Sequence, residues 1–159
     1  MADAAISVPA EATAGELAID TSRFGRIMVD ADKIITMTSP FLGFPESRRF
    51  ILRPHGQDSP FMWLQSLDNP GLAFVMLHAA TFFPQYQPKI PVFVLKELGN
   101  PAEGEQEMFL ILTIPKGNPQ QMTANLLGPV VMNVGRRLAK QVLLDPTQYT
   151  PCWPLFSQA

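Results

Sequence analysis

The chain is poor in the residues on which most enzymes and metalloproteins depend. It contains one cysteine, Cys152, and two histidines, His55 and His78, among 159 residues. One cysteine cannot form an internal disulfide bond, and this set cannot supply the ligands of a structural zinc site. Cys152 lies between Pro151 and Pro154 with no basic residue nearby in sequence, a setting that does not activate a thiol. We therefore expect no catalytic residue, no metal site and no cofactor.

The chain also lacks an excess of positive charge and any long apolar run. Its 12 Lys and Arg residues stand against 14 Asp and Glu residues, a formal charge of −2, which argues against binding through nucleic-acid phosphates. No stretch approaches the length of about 18 apolar residues that a membrane span needs. The N-terminal sequence has neither the basic region nor the apolar segment of a secretory signal. We expect a soluble, cytoplasmic protein that binds no nucleic acid directly.

What is present is a pattern of short apolar segments separated by turn residues. Apolar residues make up 47% of the chain, enough for the core of one domain, and 16 prolines interrupt any long helix. Strands are predicted over residues 23–29, 33–37, 49–53, 61–67, 72–77, 108–114, 121–127, 130–134 and 138–144. The predicted helix runs from Pro91 to Leu98, with proline in its first turn and Gly99 after its end. The pattern indicates a mostly β fold, an antiparallel barrel or sandwich with at most one or two short helices.

The first 20 residues differ in composition from the rest. They contain four acidic residues, no basic residue and few large apolar side chains. Such a segment has little to bury, so we expect residues 1–20 to form a mobile acidic arm and residues 21–159 to form the β domain. The acidic residues of the expected arm are Asp3, Glu11, Glu16 and Asp20.

A second acidic group lies near the middle of the chain. Glu97, Glu103, Glu105 and Glu107 fall within eleven residues of one another. Because turn residues surround them, they are interpreted as a solvated loop, and the functional alternative is an acidic patch that faces a basic partner. Two basic groups, around Arg49 and Arg137, could neutralise phosphates, but no exposed aromatic residues alternate with them as an RNA-binding surface would require.

Three strings, in order, resemble the flagellar assembly factor FliW family. They are RFGRIMVDADKIITM, FMWLQSLDNPGLAFVML and MTANLLGPVVMNV, followed by KQVLLD, and the resemblance extends from about Arg23 to Leu155. It implies a small, antiparallel, β-barrel-like cytoplasmic protein that is not an enzyme and is a monomer by itself. It also implies two partners, flagellin and the dimer of the translational regulator CsrA. Binding to CsrA relieves its repression of flagellin translation, and flagellin competes with CsrA. The alternative is a small-ligand or flavin-binding β-barrel enzyme.

The strings shared with the family contain both apolar and polar residues. The apolar ones, expected to pack in the core, are Phe61, Trp63, Leu64, Leu126 and Val131. The polar ones are Gln65, Ser66, Thr123, Asn125 and Asn133. These polar side chains either satisfy turns and backbone edges or form a patch that orients a partner. Together with Glu103, Glu105 and Glu107, they are the candidate partner-binding residues.

Overall fold

The computed structural model describes residues 6–7 and 15–156. The strands are β1 (Ile6–Ser7), β2 (Glu16–Thr21), β3 (Gly25–Asp30), β4 (Ile35–Met37), β5 (Arg49–Pro54), β6 (Phe61–Ser66), β7 (Ala73–His78), β8 (Gln106–Thr113), β9 (Thr123–Ala124), β10 (Val130–Asn133), β11 (Leu138–Gln141) and β12 (Trp153–Pro154). Two short α-helices are described, α1 (Ala79–Phe82) and α2 (Val92–Glu97). Single 3-10 turns occupy Ala31–Lys33, Glu103–Glu105 and Pro119–Gln121.

Seven strands close into a barrel. Their order is β10, β11, β4, β5, β6, β7 and β8, and the pairing of β10 with β8 completes the ring. All neighbours are antiparallel except β11 and β4, where Leu138 lies opposite Thr36 in parallel. Closure removes the unpaired edges that an open sheet would present. The predicted mostly β, barrel-like single domain with short helices is confirmed.

Large apolar side chains fill the barrel. Phe50, Leu64, Met76, Phe109 and Met132 are all at most 2% exposed and belong to one core cluster. They come from different strands, and each strand directs alternate residues inward because successive side chains point to opposite faces. The interior is therefore a packed core.

Helix α2 covers one outer face of the barrel. Val94 and Leu98 pack on Val131, which points outward from β10, together with Ile90 and Val142. Pro91 caps the start of the helix, and Gly99, with φ of +82°, turns the chain away at its end. The predicted helix over 91–98 is confirmed, and its apolar face explains why Val131 is buried outside the barrel.

The hairpin of β2 and β3 covers another outer face and corrects the expected arm. Ile19 and Ile27 of the hairpin are buried against Ile51 and Leu67 of the barrel. The arm was expected to end at residue 20, but Glu16–Thr21 is a strand paired along its whole length with β3. That boundary is wrong because alternate apolar residues, although few, are sufficient to bury one face of a strand. Residues 1–5 and 8–14 of the expected arm lie outside the described residues.

A third outer face is covered by the last described part of the chain. Leu110, Met122 and Leu126 form an apolar cluster on this face, and Tyr149 and Leu155 near the end of the chain pack against it, together with Tyr86. The Tyr86 hydroxyl donates to the carbonyl oxygen of Leu126 at 2.6 Å. Burial, followed by the proximity of Tyr149, raises the pKa of the Tyr86 phenol far above its ordinary value. This side chain therefore stays a neutral donor and fixes the chain near Leu126.

Candidate protein-interaction surface

Two of the candidate polar residues, Gln65 and Ser66, are fully buried and organise the turn between β6 and β7. Both have 0% exposure. The Gln65 amide nitrogen donates to the carbonyl oxygens of Ser66 at 2.9 Å and Leu72 at 3.1 Å. The Ser66 hydroxyl accepts the backbone N–H groups of Asp68 at 3.1 Å and Asn69 at 2.9 Å. Their placement in the candidate contact set is therefore corrected, because a fully buried side chain cannot touch a partner.

Asn133 is a third buried member of the candidate set, with 1% exposure. Its amide nitrogen donates to the carbonyl oxygen of Leu98 at 2.7 Å. Its amide oxygen accepts the N–H groups of Gly135 at 3.0 Å and Arg136 at 3.1 Å. Asn133 thus ties the end of α2 to the turn between β10 and β11. The structure removes it from the contact set and assigns it the turn-satisfying role that was the alternative.

Asn125 and Thr123 remain partly accessible. The Asn125 side-chain oxygen accepts the N–H groups of Leu127 at 3.0 Å and Gly128 at 2.9 Å, which fixes the turn after β9. A Cβ on Gly128 would lie 2.9 Å from the Gln141 amide nitrogen and 3.3 Å from the Asn125 amide nitrogen. Only glycine lets both amides approach the backbone here. Thr123 lies in β9, and its partner-binding role stays a prediction.

Asn125 lines a shallow apolar groove that the sequence did not predict. We call it the leucine groove, and its lining residues are Pro40, Leu42, Asn125, Leu127, Gly128, Gln141 and Leu143. Leu42 is 96% exposed and Leu143 is 80% exposed, so two large apolar side chains face solvent beside two amides. Contiguous exposed apolar surface of this kind marks interaction sites. The signal in the sequence was the pair Phe41-Leu42, of which only Phe41 is buried.

The candidate acidic residues divide into two environments. Glu103 and Glu105 are exposed on the 3-10 turn before β8. Glu107 lies within β8, and its Oε1 atom is 3.2 Å from Nε2 of His78. The backbone oxygen of Glu105 accepts the N–H of Val134 at 2.9 Å, which places the acidic turn beside the β10–β11 turn. Glu103 and Glu105 therefore form the solvated loop that the sequence predicted, and the role of this acidic turn in binding a basic partner stays a prediction.

Glu97, grouped with these residues in the sequence, has its own partner. Lys140 Nζ lies 3.0 Å and 3.1 Å from its two carboxylate oxygens. Hydrogen bonding from Thr38 and from Lys140 lowers the pKa of the Glu97 carboxyl below its ordinary value. This ion pair joins α2 to β11 and leaves Glu97 outside the acidic turn.

The acidic turn and the leucine groove lie at opposite ends of the β10–β11 pair. Val130 pairs with Gln141 at the groove end, and Asn133 pairs with Leu138 at the acidic end. From Val130 to Asn133 is three strand steps, about 10 Å, and both features continue beyond these residues. The groove and the acidic turn are therefore separate features, one beyond each end of this strand pair.

Within residues 15–156, no group of three or more His, Cys, Asp or Glu side chains is arranged to hold a metal ion. In the same part of the chain, neither α-helix has the length and apolar character that crossing a membrane requires.

The fold and this surface define a small closed β-barrel protein with an exposed apolar groove suited to binding another protein. The sequence model of the family described as "FliW protein" matches residues 18–155. The Flagellar assembly factor FliW of Magnetococcus marinus is 39% identical over 137 residues, which cover 86% of this chain and 83% of that protein. The corresponding protein of Natranaerobius thermophilus is 37% identical over 144 residues, 87% of this chain and 92% of its own. The chain belongs to the FliW family.

A solved structure supports the same assignment. The crystal structure of the flagellar assembly factor FliW superposes with a TM-score of 0.80 at 33% sequence identity. The match covers 89% of this chain and 98% of that one. The family resemblance stated from the sequence strings is confirmed, and so is the barrel that it implied.

Proposed function

We propose that this protein is a non-enzymatic flagellar assembly factor of the bacterial cytoplasm that binds flagellin and the CsrA dimer. By binding CsrA it relieves the repression of flagellin translation, and flagellin competes with CsrA for it. The observation that carries the proposal is the match of residues 18–155 to the FliW family, whose relatives are named flagellar assembly factors. The two partners come from the family resemblance of the sequence.

The leucine groove is the proposed contact surface for flagellin. A partner that covers Leu42 and Leu143 removes two exposed leucines from water, and full burial of each is worth about 1.5–3 kcal/mol. The amides of Asn125 and Gln141 border the same groove and can orient a bound segment through hydrogen bonds. Apolar anchors with a few directional polar groups are the usual composition of a protein interface centre.

The acidic turn is the proposed contact for CsrA. A protein that binds RNA is rich in basic residues, because it must neutralise phosphates, and the family resemblance implies contact with CsrA away from its RNA site. Glu103 and Glu105 face solvent and can attract such a protein from a distance through its overall positive field. Glu107 contributes less because its carboxylate already has a near neighbour, the imidazole of His78 at 3.2 Å.

The spacing of the two surfaces supports competition. A standard interface covers roughly 800 Å² on each partner, a patch roughly 28 Å across. The strand pair that separates the groove from the acidic turn is only four residues long, about 10 Å from Val130 to Asn133. Two folded partners centred on these features would therefore crowd each other, which favours competition between them.

The test is a titration of flagellin into a preformed complex with CsrA, followed by size-exclusion chromatography and a biosensor. The proposal expects CsrA to be released as flagellin binds. A ternary complex that persists at saturating flagellin would contradict the competition, and failure of both partners to bind would contradict the function.

Variants locate the flagellin contact. Replacing Leu42 and Leu143 with Ser should weaken flagellin binding at least about tenfold without lowering the melting temperature. The matched control replaces Val92 and Phe93, which are 65% and 66% exposed on α2, with Ser. Equal weakening by both pairs would show that the groove is not the contact.

The sequence also left open a small-ligand or flavin-binding barrel enzyme. Barrels of that kind hold the ligand in the interior. Here Phe50 and Phe109, with 0% and 2% exposure, are packed within that interior. We therefore prefer the protein-binding function, and an absorption spectrum of the purified protein, which would reveal a bound flavin, tests the alternative directly.

A further inference from the structure

Two arginines and a histidine gather around two aromatic rings on the side of the barrel away from the groove. The Arg23 guanidinium carbon lies 4.3 Å from the centre of the Trp63 ring, and that of Arg53 lies 4.7 Å from the centre of the Phe24 ring. The Trp63 ring contacts Phe24 edge-on at 5.7 Å and stacks with His55 at 5.9 Å. We call these five residues the cation–aromatic cluster.

The fold holds this cluster in place. Arg53 of β5 lies directly opposite Trp63 of β6, and His55 follows Arg53 by two residues on the same face. The cluster lies on β5 and β6, whereas the leucine groove lies at the end of β11. Strand β4 stands between β11 and β5 in the barrel, so the two surfaces are separated. The cluster and the groove are therefore separate surfaces.

The hairpin turn that carries Arg23 and Phe24 is fixed by hydrogen bonds. The Thr21 hydroxyl donates to the carbonyl oxygen of Gly25 at 2.8 Å and accepts the N–H of Phe24 at 2.8 Å. The N–H of Ser22 donates to the carbonyl oxygen of Pro70 at 2.9 Å, which ties the turn to the barrel. The backbone that carries Arg23 is thus fixed by this turn and that of Arg53 by β5, and each guanidinium lies over a ring, which lowers the entropic cost of binding.

The positive charge of the cluster is not neutralised. Across the described residues, no ion pair joins Arg23 or Arg53 to a carboxylate. The Nε atom of Arg53 is buried and makes no hydrogen bond. A buried charged donor without an acceptor is costly, since its hydration is lost and not replaced. The cluster is therefore positively charged, and its two guanidinium groups have no carboxylate partner among the described residues.

We propose that the cation–aromatic cluster binds an acidic segment of a partner protein, with carboxylates accepting hydrogen bonds from Arg23 and Arg53. Arginine pairs with carboxylates through two parallel N–H donors, so two held guanidinium groups select a segment with neighbouring acidic side chains. This proposal does not depend on the identity of flagellin or CsrA as partners.

The geometry favours an acidic peptide over a nucleic acid. Single-stranded nucleic acids bind by stacking bases on free aromatic faces. Here Arg23 already lies over Trp63, and Arg53 lies over Phe24. Guanidinium groups seated on rings still present their N–H edges to a carboxylate.

The test uses the full chain and a fluorescein-labelled hexaglutamate peptide, with a hexauridine oligonucleotide and inorganic phosphate as competing probes. We expect the peptide to bind with Kd below about 1 mM and to be weakened at least tenfold by Arg23→Gln with Arg53→Gln. The matched control, Lys116→Gln with Arg136→Gln, removes the same charge elsewhere and should change Kd less than about twofold. Thermal melting of each variant shows that it is folded, and Arg23→Gln alone, at an exposed residue, gives a second reading if the double variant unfolds.

Three results would overturn the proposal. Equal weakening by the control pair would mean that the peptide responds only to net charge. Tighter binding of the oligonucleotide, lost in the same Arg variants, would make the site a nucleic-acid site. Binding of neither probe below about 1 mM would mean that the cluster only packs the hairpin on the barrel.

Discussion

Arg49 and Asp68 join the first residue of β5 to the turn that follows β6. Arg49 Nη2 and Nε donate to one carboxylate oxygen of Asp68 at 2.6 Å and 3.0 Å. The other oxygen accepts the backbone N–H groups of Arg48 at 2.8 Å and Arg49 at 2.9 Å. The Asp68 side chain is only 7% exposed. Burial alone would raise the pKa of Asp68, but the hydrogen bonds from Arg49 and Arg48 outweigh it and hold the pKa below the ordinary value.

Asp68→Asn should destabilise the protein, because the amide has one acceptor oxygen where the carboxylate has two and carries no charge. We expect a loss of about 1–3 kcal/mol in the free energy of unfolding at neutral pH. Because the folded pKa is depressed, this stabilisation is present above the unfolded pKa and is lost as pH falls through the folded value. Urea unfolding from pH 7 down to the acid range should show the wild-type advantage shrinking below about pH 4.

The control for this prediction is Asp58→Asn at an exposed turn position, which should change stability little at any pH. An advantage of wild type over Asp68→Asn that stays constant with pH would show that the effect is steric and not ionic.

Trp63 and Leu64 are adjacent in sequence but differ in environment. Leu64 is 0% exposed inside the barrel, whereas Trp63 is half-buried on the outer face under Arg23. Leu64→Ala should cost about 2–5 kcal/mol. Trp63→Ala should cost no more than about 2 kcal/mol, because Trp63 is only half-buried, although the sequence placed it among the expected core residues. Chemical denaturation measures the loss in free energy of unfolding for each variant. A larger loss for Trp63→Ala than for Leu64→Ala would show that Trp63 is a core residue.

The barrel could be predicted because each of its strands has its own local signal. The hairpin around Asp68-Asn69-Pro70-Gly71 and helix α2 were predicted from turn and capping residues, and both are present. The predicted lengths of the strands were less accurate. The predicted strand over 121–127 is only Thr123–Ala124 after a 3-10 turn, because the N–H of Leu126 bonds to the carbonyl oxygen of Thr150 and not to a strand neighbour.

The candidate site was harder to predict because burial on the outer face depends on distant segments. Gln65 points out of the barrel, yet it is covered where Ser22 of the β2–β3 turn meets Pro70. Asn133 likewise is covered by the end of α2 at Leu98. A local pattern gives the face of a strand but not what packs on that face.

Truncation tests the corrected boundary of the domain. Deleting residues 1–14 keeps the β2–β3 hairpin, so we expect cooperative melting. Deleting residues 1–21 removes Ile19 and exposes Ile51 and Leu67, and it should lower the melting temperature by several degrees or abolish the transition. Calorimetry of the two truncations compares them directly. Identical melting would mean that β2 contributes nothing to stability.

Asn133 should be sensitive to changes in its hydrogen-bonding groups. Asn133→Ala loses the donor to Leu98 and the acceptor for Gly135 and Arg136, at a cost of about 1–3 kcal/mol. Asn133→Asp keeps the acceptors but sets a buried charge against the Leu98 carbonyl oxygen, so it should be at least as destabilising at neutral pH. Unfolding by urea measures both, and a wild-type stability for Asn133→Asp would show that the contact with Leu98 is not important.

Charge on the acidic turn should act on the encounter with CsrA more than on the lifetime of the complex. Replacing Glu103, Glu105 and Glu107 with Gln removes charges from the margin of the proposed interface, and such charges mainly steer association. We expect a lower association rate, weaker dependence of that rate on salt, and a dissociation rate that changes little. Within the triple variant, Glu103 and Glu105 should account for most of the effect, since Glu107 lies beside His78.

The control for the acidic turn is a variant with the same charge change at exposed positions elsewhere, Asp32→Asn, Glu46→Gln and Asp58→Asn. If steering is local, the control should leave the association rate within about twofold of wild type at moderate salt, because charges beyond a Debye length of about 10 Å are screened. Biosensor kinetics at several salt concentrations separate the two rates. A fall in association rate shared equally by both triple variants would show that total charge, and not the acidic turn, attracts CsrA; a change confined to dissociation would place these carboxylates within the bound interface.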